Sequence, residues 1–596
     1  MSRETRDQEG GGDLRLVGRL LAYLRAYPRL LGLSLLLYPL NALCVIVPPK
    51  VLQRILDEAI PQRDMSLLGW LSAGYLVALM LEYATGFASE LTTSVLGQRA
   101  MLRLRRDLFS HVQRLPASFF DRNPIGRILT RLTSDVEALS DAFSNGAITV
   151  IADLLTVVAV VSMMLWIDVR LTLFSFLVAP PLVGLAAVFQ RYARIAFRDI
   201  RKHIARLNTF LAEHIGGMSV VQVFGQQERT QQEFNQLNAD YRDANRDAIF
   251  FDATLYAVVE AIGTTAVAVL IWYGAADLAT GAASAGVLMA FIQYIRRFFI
   301  PIRDLSTKYT VLQSAFAAAE RTFKLLDEPL PIAEPPNATP MSRLTGDIVF
   351  EGAWFAYRNA DTETPEWVLK GIDFRVRRGE RVALVGSTGS GKTTLLKLLN
   401  RSYDVQRGRV LVGGHDVRHI KLADLRRLFA VVLQDVHLFS GTVMQNLAFS
   451  DRVTEGDARK AVAMVQAEPL IARLPGGYDA PVQELGANFS AGERQLLALA
   501  RALAINPEVL ILDEATSNVD SETEARIQSA LDVLLADRTA LVVAHRLSTI
   551  QKVDRIIVMQ HGRIVQEGSH DVLMRQPGLY RTLVELQFAN HGGAAP

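Results

Sequence analysis

The chain has 596 residues, half of them hydrophobic, and carries 63 Lys and Arg against 61 Asp and Glu, a net charge of +2. That length implies several domains, and the near-balance of charge excludes a strongly basic nucleic-acid binder. The single cysteine, Cys44, lies in an apolar stretch; it excludes an internal disulfide framework and reads as a small hydrophobe.

Residues 1–13 form a polar, Gly-rich tail with no cleavable-signal pattern, and the first long apolar run starts only near Leu30. Six apolar segments follow, near Leu30–Val47, Leu67–Ser89, Ala147–Ile167, Leu171–Phe189, Ala253–Tyr273 and Gly286–Ile302. Each approaches the roughly 20 residues that a helix needs to cross a bilayer. Residues 14–328 therefore read as an α-helical polytopic membrane domain of six transmembrane helices. Pro48, Pro180 and Pro301 interrupt them, which packed membrane helices tolerate.

Positive charge sets the orientation. Arg99, Arg103, Arg105, Arg106, Arg114, Arg122, Arg127 and Arg131 follow the second segment, and Arg191, Arg194, Arg198, Arg201, Lys202 and Arg206 follow the fourth. The links after the third and fifth are short and nearly free of positive charge. By the positive-inside rule both long loops and both termini face the cytoplasm of a cell (inner) membrane. The first loop breaks at Pro116 and Pro124, which predicts a short crosswise element at its tip.

Polar residues inside the spans are expensive and face a cavity or a partner. On the fifth segment Asp252, Tyr256, Glu260 and Thr264 recur every four residues and share one helical face. They are candidates for the substrate pathway, together with Glu82 and Arg296; helix-to-helix hydrogen bonding is the alternative. Asp153 poses the same choice, and Arg296 and Arg297 bring the opposite sign, so no simple ion preference emerges.

A proline-rich linker covers 329–346, and from Asp347 the pattern changes to short aliphatic runs alternating with helical ones. "RVALVG", "FAVVLQ", "EVLILDEA", "TALVVAH" and "RIIVMQHG" predict strands of a mostly parallel sheet, an α/β domain over 347–588 followed by a tail at 589–596. "GSTGSGKTT" spans Gly386, Ser387, Thr388, Gly389, Ser390, Gly391, Lys392, Thr393 and Thr394, between a strand and an apolar helix. Glycines let backbone N–H groups turn onto phosphates, and the helix start adds partial positive charge. Lys392 is placed to reach the β- and γ-phosphates of ATP, and the Thr393 hydroxyl to hold Mg²⁺. The strand "VLILD" presents Asp513 for the metal shell and then Glu514 to polarise an attacking water. Gln434 ends "FAVVLQ", where an amide contacts Mg²⁺ and water, and His545 ends "TALVVAH", in reach of a γ-phosphate.

The order aromatic, P-loop, Gln, signature, Asp-Glu, His resembles that of the ATP-binding cassette (ABC) proteins. With six spans ahead of the cassette, nearly the whole chain is similar to the exporter-type half-transporters. The resemblance implies that Tyr357 stacks on adenine, that Gln434 couples the nucleotide to the membrane helices, and that Ser517–Asp520 cross a cassette dimer interface. "VQELGAN" resembles the exporters' cross-linking loop, with Glu484 at its glutamate but Gln483 where a glycine is usual. "LPASFFDRNPIG" resembles the first coupling loop, and residues near Asn208–Met218 the second.

It further implies composite ATP sites, in which the signature of one cassette, here Ser490 and Gly492, acts on ATP held by the other. The consensus Leu-Ser-Gly-Gly-Gln reads Phe489, Ser490, Ala491, Gly492, Glu493 here. Ala491 adds a Cβ where backbone must approach phosphate, and Glu493 adds a negative charge that is unfavourable unless neutralised. The expected partner is therefore a second half-transporter of different sequence, with a consensus signature and a degenerate catalytic glutamate; a homodimer is the alternative. The implied function is ATP-driven export of hydrophobic or amphipathic substrates (drugs, lipids or peptides) by alternating access. An importer on exporter architecture and an ATP-gated channel are the rivals, and the six spans exclude a soluble P-loop enzyme.

Overall fold

A computed structural model describes the chain except for residues 1–14, 177–178, 280–283, 331, 333, 358–364, 434–435, 514–520, 537, 545–546 and 591–596. The chain divides into two compact units: Met1–Arg114 with Pro124–Glu328, and Leu115–Asn123 with Pro329–Pro596.

The first unit is helical among its described residues. Pro28 starts the first long helix, Pro28–Arg54, where its missing N–H costs nothing. A π-helical turn, Ile55–Ala59, continues it, and Arg63 in the left-handed region ends it. Asp64 then caps Met65–Val112 by accepting bonds from the Ser66 and Leu67 amides at 2.9 and 3.0 Å. At 48 residues that helix is about 70 Å long, more than twice the hydrocarbon core of a bilayer. It therefore extends well past the membrane on its arginine-rich side.

Among the described residues, four helices are long and apolar enough to cross a membrane: Pro28–Gln62, Met65–Val112, Ile148–Ile167 and Gln227–Gly274. The other two apolar segments fall on Val169–Phe176 and Ala179–Gly216, and on Ala285–Leu326, whose membrane stretch carries Arg296 and Arg297. The crosswise element expected between Pro116 and Pro124 is the helix Ala117–Arg122. It groups with the second unit, where Tyr403 donates a hydrogen bond to Asp121 and the Lys397 ammonium lies 3.8 Å from the same carboxylate.

The second unit is built on a six-stranded sheet. Its order is Arg563–Gly568, Arg555–Gln560, Arg381–Gly386, Thr539–Val543, Val509–Asp513, Phe429–Val432, and all neighbours are parallel except the first pair. All five residues of Thr539–Val543 are buried, as strands covered on both faces require. A four-stranded antiparallel sheet, Leu369–Val376, Ile348–Phe355, Arg407–Val412 and His415–Asp416, lies beside it in the same unit. The parallel strands share one carboxyl edge, the place where open α/β sheets bind ligands. The P-loop, Asp513 and the residues after Val432 and Val543 all follow from that edge.

Candidate nucleotide site

Gly386 closes the strand Arg381–Gly386, and Lys392 opens the helix Lys392–Leu399. The loop between them needs its glycines. A Cβ on Gly386 would lie 2.2 Å from the Met559 carbonyl oxygen. Gly391 sits at φ +102°, and a Cβ there would lie 2.7 Å from Leu369 Cδ2. The Ser390 amide donates to the Ser387 carbonyl at 3.2 Å and tightens the turn, while Ser387, Thr388 and Gly389 remain exposed.

Lys392 is only 6% exposed. Its ammonium donates to the Gly386 and Ser387 carbonyls at 2.9 and 3.0 Å, and more weakly to Ser390 Oγ at 3.4 Å. Burial pushes its pKa below the usual lysine range, and the Asp513 carboxylate opposes that shift. Thr393 Oγ1 donates to Asp513 Oδ2 at 3.1 Å, which joins the P-loop helix to the end of Val509–Asp513. A hydroxyl beside a carboxylate is a pair of hard oxygen donors that suits Mg²⁺ better than a softer metal. Among the described residues no group of three or more His, Cys, Asp or Glu could cage a metal.

Tyr357 flanks the loop. Its hydroxyl is 3.1 Å from Thr394 Oγ1, and its ring meets Phe355 and Tyr403 edge-on at 5.0 and 5.4 Å between centroids. The Lys397 ammonium lies over the same ring, 5.7 Å from its centroid.

At the signature, Ser490 caps the helix Ala491–Ala504. Its Oγ accepts from the Glu493 amide at 3.2 Å, and Glu493 Oε2 accepts from the Ser490 amide at 2.9 Å, a reciprocal capping box. Arg473 Nη2 donates to Glu493 Oε1 at 3.4 Å. The charge that stands out in the sequence is therefore held by its own helix start and met by a cation. The spacing Ser-x-x-Glu carried the signal for this box; Arg473 had none. Ala491 is exposed and Gly492 buried at the start of the helix.

Residues 31–302 match the family described as the ABC transporter transmembrane region, and residues 369–517 match that described as ABC transporter. The chain is 35% identical over 572 residues to an ATP-dependent lipid A-core flippase of Chromobacterium violaceum, covering 96% of this chain and 97% of that one. It is 37% identical over 525 residues to a fatty acid ABC transporter ATP-binding/permease protein of Mycobacterium bovis, covering 88% and 81%. The structure resembles that of a bacterial Atm1-family ABC exporter with ATP bound, with a TM-score of 0.75 and 25% identity over 96% of this chain and 99% of that chain. The chain belongs to the ABC exporters.

The exporter is a multi-pass membrane protein that binds ATP and couples its hydrolysis to transport. Three residues expected to take part in turnover, Gln434, Glu514 and His545, lie outside the described residues, as do Ser517–Asp520. Their neighbours are described: Val432, Asp513 and Val543 end adjacent parallel strands of the sheet.

In the membrane unit of the exporter, Glu82 is half-buried and receives a two-pronged bond from Arg297, at 2.8 and 3.0 Å; Arg297 also donates to the Val45 carbonyl at 2.6 Å. Asp153 is bonded to Lys308. Each of these carboxylates is thus bonded to a cation on the helix Ala285–Leu326. Tyr256 and Glu260 are exposed on Gln227–Ala279, and Arg296 is exposed on Ala285–Leu326. The side chain of Asp252 lies outside the described residues.

Proposed function

We propose that this chain is one half of an exporter that moves hydrophobic or amphipathic molecules, with lipids and lipid-like drugs foremost, out of the cytoplasm or the inner leaflet of the cell membrane. The cassette and both termini are cytoplasmic in this reading. ATP lies on the P-loop from Gly386 to Thr394 with its base on Tyr357. Thr393, Asp513 and Gln434 would hold Mg²⁺, which would supply positive charge to the phosphates. Glu514 accepts a proton from the attacking water, and His545 bonds the γ-phosphate. Ser490 and Gly492 cap a nucleotide held by the second cassette.

The observation that carries this reading is the junction of Thr393 and Asp513, 3.1 Å apart at the carboxyl edge of the sheet, beside the buried Lys392. The named activities of the flippase and the fatty acid transporter support an amphipathic substrate. Inside-out vesicles containing the exporter test it. ATP should drive uptake of a fluorescent lipid or amphipathic dye, and Glu514→Gln should abolish uptake while ATP still binds. Uptake that survives Glu514→Gln would refute the catalytic assignment.

The second half-transporter is a different chain in this reading. The exposed methyl of Ala491, at a position where the family carries glycine, supports it. The charge of Glu493 does not, because Arg473 faces it. Brisk, cooperative ATP turnover by the purified chain alone would show a homodimer instead.

A further inference from the structure

A helix start carries roughly half a unit of positive charge, and that field is what makes it an anion site. In Ala491–Ala504 the third residue, Glu493, opposes this field where a neutral amide is the consensus. The carboxylate is divided between two partners: Oε2 takes the Ser490 amide at 2.9 Å, and Oε1 takes Arg473 Nη2 at 3.4 Å. Arg473 closes a separate helix, Glu468–Arg473. The neighbouring cation, Arg494, is committed elsewhere, donating to the Phe489 carbonyl at 2.8 Å. The Arg473 and Glu493 side chains are 67% and 27% exposed, so the pair adds little to folding stability. Its consequence is electrostatic and local.

We infer that Arg473 is a positioning residue for ATP capping: it holds the Glu493 carboxylate on the Ser490 amide and cancels its charge, so that the Ser490–Gly492 end can approach the terminal phosphate of ATP on the second cassette. This rests on the reading that the signature caps a nucleotide bound by another cassette. The hydroxyl of Ser490 accepts from the Glu493 amide and keeps its own proton to donate to such a phosphate. Arg473 thereby compensates, from outside the signature, for the departure from consensus within it.

The test uses the full-length exporter in proteoliposomes, with its second half-transporter where turnover requires one. Four forms are compared: wild type, Arg473→Ala, Glu493→Gln, and both together. Gln completes a capping box as Glu does, so Glu493→Gln removes charge and keeps the cap. Arg473→Ala should lower ATP turnover about fivefold, mainly through a higher KM for ATP, the size expected of a part-exposed charge pair. Adding Glu493→Gln to it should restore turnover to within about twofold of wild type, because there is then no charge to cancel. A merely structural arginine would not be rescued in this way. Unchanged turnover in Arg473→Ala, or a double variant no better than Arg473→Ala, overturns the inference. Glu514→Gln runs in parallel: if it leaves turnover intact, the reading of the ATP site fails, whatever Arg473 does.

Discussion

The two helix starts that the proposed function assigns to ATP are built in opposite ways. Lys392–Leu399 begins at a left-handed glycine with no side-chain cap, behind a buried lysine and a buried Ser390. Ala491–Ala504 begins on an exposed surface and caps itself through Ser490 and Glu493. An uncapped start presents several backbone N–H groups that an anion can take. A capping box takes two of those N–H groups, so a self-capped start offers an anion fewer of them, with the serine hydroxyl alongside. In the proposed function the first binds phosphate within one chain, and the second closes over a phosphate brought by another.

Perturbations should therefore separate the two ends, beginning at the P-loop. Lys392→Ala removes the buried ammonium and should lower ATP binding and turnover by about a hundredfold or more; equilibrium binding of a fluorescent ATP analogue measures it. A loss of turnover with binding intact would place Lys392 in chemistry alone. Gly391→Ala forces a Cβ onto Leu369 at a positive φ, which costs on the order of 2 kcal/mol. It should weaken ATP binding roughly thirtyfold if the loop distorts by that amount. Unaltered binding would mean that the loop relaxes freely.

The smallest effect is a control on capping itself. Thr442 and Gln445 form a capping box at the start of Val443–Leu447, with the same reciprocal bonds as Ser490 and Glu493. Thr442→Ala should lower stability by about 1 kcal/mol and leave the KM for ATP near its wild-type value. Denaturant unfolding and steady-state kinetics read the two quantities. A raised KM there would mean that cap loss alone explains whatever a change at Ser490 does.

Much of this was legible in the sequence, and the rest was not for identifiable reasons. The five aliphatic runs expected as strands all lie in the six-stranded sheet, because burial on both faces leaves a continuous apolar signature. The P-loop was legible for the same reason that it works: glycines at fixed offsets are needed by the backbone. The helix between Pro116 and Pro124 followed from two residues that stop helices. The membrane ion pairs were out of reach. Glu82 and Arg297 are 215 residues apart and Asp153 and Lys308 are 155, so only packing brings them together. Glu493 is the instructive middle case. Measured against a family consensus it looks like a defect, whereas its spacing from Ser490 already spelled a cap; Arg473 became visible only in three dimensions.

The central claim is that the two ends of this cassette serve different ATP molecules, and Ser490→Ala in the assembled exporter tests it most directly. Photolabelling of this chain by an azido-ATP reports its own P-loop, and ATP turnover reports the closed dimer. The account predicts labelling within about twofold of wild type, with turnover reduced roughly tenfold or more by loss of the hydroxyl donor. Labelling that fell in step with turnover would mean that Ser490 acts on the nucleotide of its own chain, and would contradict the account.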